Sequence, residues 1–198
     1  MECYGSLSPI KGIKCNLCGK PLISEKETCL SCRGALQRSC DRLWSVFPYT
    51  GKYSAILREY KFNKNLKLAS FLAEKILSVL SEPSLKEAVI VPVPPRRGKI
   101  KESGWDQVDY IIKKISFLSK NVSVSRCLRR GKSKIQKNLS RPERMENLKG
   151  RISVRGQVPK TALIIDDVIT TGSTIEICSS ALKENGAEKV FGLCLFYD

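Results

Sequence analysis

Apolar residues recur at helical spacing in several stretches of the chain. Across 65–81 they fall at Ala69, Leu72, Ala73, Ile76, Leu77 and Leu80, and across 108–118 at Val108, Ile111, Ile112, Ile115 and Leu118. Recurrence every three or four residues puts each set on one face of a helix. A shorter helix is expected over 52–62 and another over 174–185, closed by Gly186. Apolar runs of strand length stand at 88–93, 161–167 and 189–196, the first stopped by Pro92-Val93-Pro94-Pro95. Shorter strands are expected at 122–124 and 151–154. Strands alternating with helices predict an α/β domain with a largely parallel sheet. The aromatic stretch 44–49, which contains Pro48, reads as a connector, dividing the chain into a small unit, 1–45, and a main domain, 46–198. There is no internal repeat. No apolar run approaches the ~18 residues of a membrane-spanning helix, and the start lacks the apolar core of a signal peptide. A cytoplasmic protein without membrane insertion is therefore expected.

Of the 198 residues 42% are apolar and 27% charged, a balance that lets most of the chain bury a core. Histidine is absent, which removes Ser-His-Asp triads, His-paired thiols and His-containing zinc hydrolase sites. Chemistry must then run on carboxylates, hydroxyls, lysines, backbone amides or a metal held without imidazole. Lys and Arg number 35 against 19 Asp and Glu, a net charge of +16, and the excess is uneven: residues 91–160 carry +14 and 161–198 carry −4. Within 126–155 eleven basic residues face two acidic ones, so this stretch is not core. It is either a solvated loop or a surface that draws phosphate groups by steering, counterion release and bidentate arginine contacts.

Nine cysteines are present. Cys15-Asn16-Leu17-Cys18 and Cys29-Leu30-Ser31-Cys32 form two C-x2-C pairs separated by ten residues that include Gly19 and Pro21. Two such knuckles can close on one ion, and four thiolates fill a tetrahedral Zn²⁺ with no open position, which makes the site structural. A redox dithiol is the weaker account, since such motifs stand singly at a helix start. Cys3 or Cys40 can replace or add a ligand. Cys178 and Cys194 lie in apolar segments and read as buried, inert thiols.

The most informative stretch is Ala162-Leu163-Ile164-Ile165-Asp166-Asp167-Val168-Ile169-Thr170-Thr171-Gly172-Ser173-Thr174. A buried strand ends in two carboxylates, and a loop of small hydroxyl residues around a glycine leads into a helix. In open α/β sheets ligands bind at the carboxyl ends of strands. Backbone N–H groups and hydroxyls of Thr170, Thr171, Gly172, Ser173 and Thr174 can cradle one phosphate at the helix start. The two acids would repel that phosphate unless they serve another part of the ligand, such as sugar hydroxyls or a bridging Mg²⁺. A sugar phosphate suits both halves. The other nucleotide signal, Gly131-Lys132-Ser133, does not complete a P-loop, because Arg126 stands where its first glycine belongs.

This stretch resembles the 5-phosphoribosyl-1-pyrophosphate (PRPP) signature of type I phosphoribosyltransferases. More of the chain resembles the ComF-type competence proteins, which join a cysteine zinc module to a phosphoribosyltransferase-like domain. The matching pieces are the four cysteines, Tyr60-Lys61-Phe62, Val91-Pro92-Val93-Pro94 with Arg96 and Arg97, Gly104-Trp105-Asp106-Gln107, and Arg126 with Arg129 and Arg130. Gln136, Leu139, Arg141, Arg144, Asn147 and Gly186-Ala187 extend the likeness. The family usually reads Arg-Gly-Phe-Asn-Gln where this chain has Ser103 before Gly104 and Asp106 before Gln107.

The resemblance implies a type I phosphoribosyltransferase-like parallel sheet flanked by helices, with a small N-terminal four-cysteine zinc module. It makes Asp166 and Asp167 the catalytic acids on the ribose hydroxyls, and gives the 5-phosphate to residues 170–174. Pyrophosphate falls to the turn at Arg96 and Arg97 and to a hood over 126–144, with Arg126, Arg130, Arg141 and Arg144. Zn²⁺ in the module and Mg²⁺ with PRPP are the implied cofactors. Two functions follow: a role in DNA uptake with single-stranded DNA or a competence helicase as partner, or transfer of ribose 5-phosphate from PRPP to a nitrogen acceptor. A PRPP-sensing regulator without catalysis needs the same acids.

Overall fold

The computed structural model of the chain describes residues 9–10, 12–33, 38–96, 98–131 and 152–198. Its elements run α1 (Leu30–Arg33), β1 (Arg42–Pro48), α2 (Gly51–Lys61), α3 (Leu68–Leu80), a 3-10 turn (Pro83–Leu85), β2 (Val89–Pro92), α4 (Lys99–Ser103), α5 (Gln107–Leu118), β3 (Leu128–Arg130), β4 (Ile152–Val154), β5 (Thr161–Ile169), α6 (Ser173–Glu184) and β6 (Lys189–Tyr197). Four strands form a parallel sheet in the order β1-β6-β5-β2, with Val91 opposite Ile164 and Ile164 opposite Gly192.

The period of two along a strand distributes β5 between two cores. Leu163 and Ile165 join the layer of α2, α3 and α5, whereas Ala162 and Ile164 join that of α6 and the β3–β4 hairpin. Both faces are covered, so the central strands read as unbroken apolar runs and not as an alternation. Gly192, at the middle of β6, leaves room for Leu43 and Ile175 to meet across it.

The mixed α/β class and the parallel sheet agree with expectation, as do the four longer helices to within a few residues. Three local readings change. The stretch 44–49 is no connector: β1 occupies most of it and pairs with β6 from Arg42 opposite Phe191 to Pro48 opposite Tyr197. Trp44, Val46 and Phe47 are buried in the helical core, and Pro48 is tolerated because it ends the strand. The strand therefore runs across residue 45. The segment 122–124 forms a single bridge, Val124 to Ile90, flanked by Ile90 N–H on Ser123 O at 2.9 Å and Ser125 N–H on Ile90 O at 2.8 Å. Inside the expected hood the structure has β3, antiparallel to β4 with Leu128 opposite Val154. Arg97, Arg141 and Arg144 lie outside the described residues. Among the described residues no helix is long and apolar enough to cross a membrane.

Candidate phosphate and metal sites

The alternation that builds the two cores also separates the two acids at the end of β5. Asp167 continues the Leu163–Ile165 side and meets α2 and α5. Its Oδ2 accepts from Lys61 Nζ at 2.6 Å and from Gln107 Nε2 at 2.6 Å, and its Oδ1 from Val168 N–H at 2.8 Å. Asp166 points the other way, accepts from Asp167 N–H at 2.8 Å, and lines a cleft of about 350 Å³. The charge environments differ accordingly. Burial, and then the charge of Asp167, push the Asp166 carboxyl up to about 8. Burial acts on Asp167 too, but the Lys61 ammonium and the Gln107 amide outweigh it and hold that carboxyl below its ordinary value.

Around Asp166 the cleft is lined by Lys61, Val93, Pro94, Pro95, Arg96, Lys99, Asp106, Gln107, Val108, Arg130 and Thr174. The wall after β2 supplies Arg96, whose guanidinium is bound by Glu102 of α4 through Nη1 at 2.9 Å and also through Nη2. Lys99, at the start of α4, reaches Asp106 Oδ2 at 2.6 Å and also donates to Gln107 Oε1. Asp106 caps α5, its Oδ1 accepting from Asp109 N–H at 2.9 Å. Of the two positions that depart from the pattern of the resemblance, Asp106 ties the start of α5 to Lys99 of α4, and the single Ser103 hydroxyl lies 2.7 Å from Lys99 O of its own helix and 2.9 Å from Trp105 O of the linker, closing the end of α4.

The loop behind Asp166 turns at Gly172, whose φ of 75° is left-handed and suits glycine, and opens directly into α6. Thr171 Oγ1 and Ser173 Oγ stand 2.9 Å apart; Thr170 is exposed; Thr174 is the loop residue that lines the cleft. Arg130 reaches the same space from β3, and its buried Nε has no hydrogen-bond partner among the described residues. Arg126 is elsewhere, paired with Asp109 of α5 at 2.6 Å. Lys61 and Lys99 are cleft cations whose roles the sequence left unassigned, and Lys61 is the one that reaches the acidic pair. Its only signal was the Tyr60-Lys61-Phe62 triplet at the end of an amphipathic helix.

The cysteines build a second site. Cys15 O accepts from Gly19 N–H at 2.9 Å, Cys15 N–H donates to Lys20 O at 2.8 Å, and Cys32 N–H donates to Cys29 O at 2.9 Å, giving two tight knuckles. The sulfurs of Cys15, Cys18, Cys29 and Cys32 all lie within 4.8 Å of one another, with Cys18 and Cys29 3.7 Å apart. Four sulfurs at ~2.3 Å from one tetrahedral ion stand about 3.8 Å from each other, so the cluster can bind a metal such as zinc. Within the cluster burial pushes the Cys18 thiol up to about 11 and the Cys32 thiol up as well, whereas at Cys15 backbone N–H groups of Cys29, Cys18 and Leu17 overcome burial and bring the thiol down to about 7. Cys40 is apart from the cluster. It is buried against the sheet, its Sγ donates to Arg42 O at 3.4 Å, and burial pushes it up to about 12. Cys3 lies outside the described residues.

The cysteine unit docks on β1. Ser45 Oγ donates to Gly19 O at 2.9 Å, Lys14 Nζ to Ser45 O at 3.0 Å and Ile10 N–H to Val46 O at 2.8 Å. Arg38 Nη1 ties back to Leu17 O at 3.1 Å, and Ser39 N–H donates to Glu176 in the first turn of α6.

Comparison with known proteins gives the chain relatives. No family model matches the chain. Competence protein F of Haemophilus influenzae is 27% identical over 95% of this chain and 86% of its own length. The DNA utilization protein YhgH of Salmonella typhimurium is 29% identical over 91% of this chain and 82% of its own, and competence protein ComFC of Streptococcus pneumoniae is 27% identical over 83% and 78%. The chain is thus similar, over most of its length, to competence proteins F and ComFC and to the DNA utilization protein YhgH, likenesses that support the ComF family.

Proposed function

We propose that the chain is a ComF-type protein that binds PRPP in the Asp166 cleft and serves DNA uptake. The observation that carries the reading is the cleft itself: Asp166 at the end of β5 and Thr174 in the first turn of α6 line it together with Lys61, Arg96, Lys99 and Arg130. A polyphosphate needs that cationic rim, and a ribose needs the acid. In this reading Asp166 faces the ribose, residues 170–174 take the 5-phosphate, and Arg96, Arg97 and Arg130 take pyrophosphate, joined by Arg141 and Arg144 of the basic segment. Mg²⁺ carried with PRPP supplies positive charge beside a carboxyl that burial otherwise keeps protonated. A structural Zn²⁺ on Cys15, Cys18, Cys29 and Cys32 holds together the cysteine unit that docks on β1.

The names of the relatives carry the cellular role: competence for two, DNA utilization for the third. The +14 of residues 91–160 supports a salt-dependent grip on single-stranded DNA, with a competence helicase as a further partner. Calorimetry of PRPP with Mg²⁺ tests the site, and saturable one-site binding that Thr174→Val weakens is expected; no heat of binding with the wild-type protein sinks the reading. Fluorescence anisotropy with a single-stranded oligonucleotide tests the DNA role. Affinity should fall steeply with salt, and salt-independent binding would refute a phosphate grip.

A further inference from the structure

Resting on the PRPP reading above, we infer that Lys61 is an anion-binding residue of the cleft and that Asp167 acts through it, as its positioning residue, without touching the ligand. The paired acids of the sequence then have unlike tasks. Asp166 and Lys61 line the cleft; Asp167 does not, and its side chain is only 11% exposed. Three of the roughly four acceptor positions of a carboxylate are already filled on Asp167, by Lys61, Gln107 and the Val168 N–H. Little remains for a sugar hydroxyl to use.

The same contacts aim the ammonium. Lys61 is the last residue of α2, and its neighbour Tyr60 is fully buried, with Oη donating to Gln107 O at 2.7 Å and the ring edge-on to Trp105 at 5.2 Å. Lys99 occupies Gln107 Oε1, which leaves the amide's Nε2 to face Asp167. Asp106 in turn holds Lys99. A chain of polar contacts from the cap of α5 to the end of β5 therefore fixes one carboxylate oxygen, and that oxygen fixes Lys61 Nζ at 2.6 Å. An ammonium has three N–H groups, and the Lys61 side chain is 29% exposed, so the remaining two are turned to a ligand oxyanion, a phosphate or pyrophosphate oxygen of PRPP.

A double-mutant cycle on the full-length protein tests this, with calorimetric affinity for PRPP and Mg²⁺ as readout. Lys61→Met and Asp167→Asn should each weaken binding by about tenfold, the worth of one charge-assisted hydrogen bond, and the double variant should be no weaker than Lys61→Met alone. Lys61→Arg should recover most of the loss. If the two effects multiply to about hundredfold, Asp167 has its own contact with the ligand and the inference fails, as it does if Lys61→Met binds like wild type. Should Asp167→Asn not fold, as judged by thermal melting, Gln107→Met takes its place in the cycle with the same expected non-additivity. Wild-type protein that binds no PRPP refutes the parent reading and this one with it; additivity in a protein that binds PRPP refutes this one alone.

Discussion

Asp166 is costly to the ligand-free fold, and the cost depends on pH. Its carboxyl is pushed up to about 8, first by burial and then by the charge of Asp167, from an ordinary value near ~3.9. Between these two values the folded protein holds a proton that the unfolded chain has released, so stability falls as pH rises across this window and is level above it. At pH 7, about three pH units into the window, the penalty is ~4 kcal/mol at 1.36 kcal/mol per unit. Asp166→Asn removes it, keeps an oxygen for the Asp167 N–H, and leaves two amide N–H groups at a half-buried position, which costs about 1–2 kcal/mol. The variant should therefore be about 2 kcal/mol more stable at pH 7, or ~4–8 °C higher in Tm for a chain of this size. At pH 4, where the wild-type carboxyl carries no penalty, the gain should be gone and the variant should be about 1–2 kcal/mol the less stable protein. Thermal melts of both proteins from pH 4 to pH 8 check this, and the same variant should lose PRPP binding, a gain in stability set against a loss of function. A Tm difference that does not widen with pH would show that Asp166 is already ionised without penalty.

Three further outcomes are expected. Cys29→Ser, or a strong chelator, should release about one zinc per chain and make 12–33 sensitive to protease, because a unit with so small a core depends on its metal; a metal-free wild-type protein that resists protease would contradict this. Gly192→Ala should destabilise by about 1–3 kcal/mol, since a methyl there meets Leu43 and stands 2.9 Å from Ile175 Cγ2, and denaturant melts that match wild type would disprove the tight approach of β1, β6 and α6. Asp106→Ala should cost about 1 kcal/mol more than Asp106→Asn in the same melts, because Asn still caps α5 whereas both lose the Lys99 ion pair.

The central strands and long helices were legible because burial on both faces of a sheet writes itself as apolar runs and amphipathic faces as a period. The stretch 44–49 was not, because an edge strand that contains Pro48 and is docked by the cysteine unit has the composition of a linker. β3 was hidden by its own sequence, Leu128-Arg129-Arg130, whose charge suits a loop. At the site, the acids and the hydroxyl loop are contiguous and were found together. Lys61 stands more than a hundred positions away and is joined to them only by folding. The opposite facing of Asp166 and Asp167 was available from strand periodicity, yet the pair reads most naturally as one motif when seen as a string.

The pairing of β1 with β6 bears on how the protein is made. Arg42 lies opposite Phe191, so the first strand to leave the ribosome waits for nearly the whole chain before its partner exists. At ~5–20 residues per second that interval is about 7–30 s. During it the cysteine unit, whose ligands all precede β1, can fold and cover one edge of the strand through Ile10, Lys14 and Gly19. The cysteine unit covers the outer edge of β1 and leaves open the side that β6 takes, so the strand presents no free edge in the folded structure.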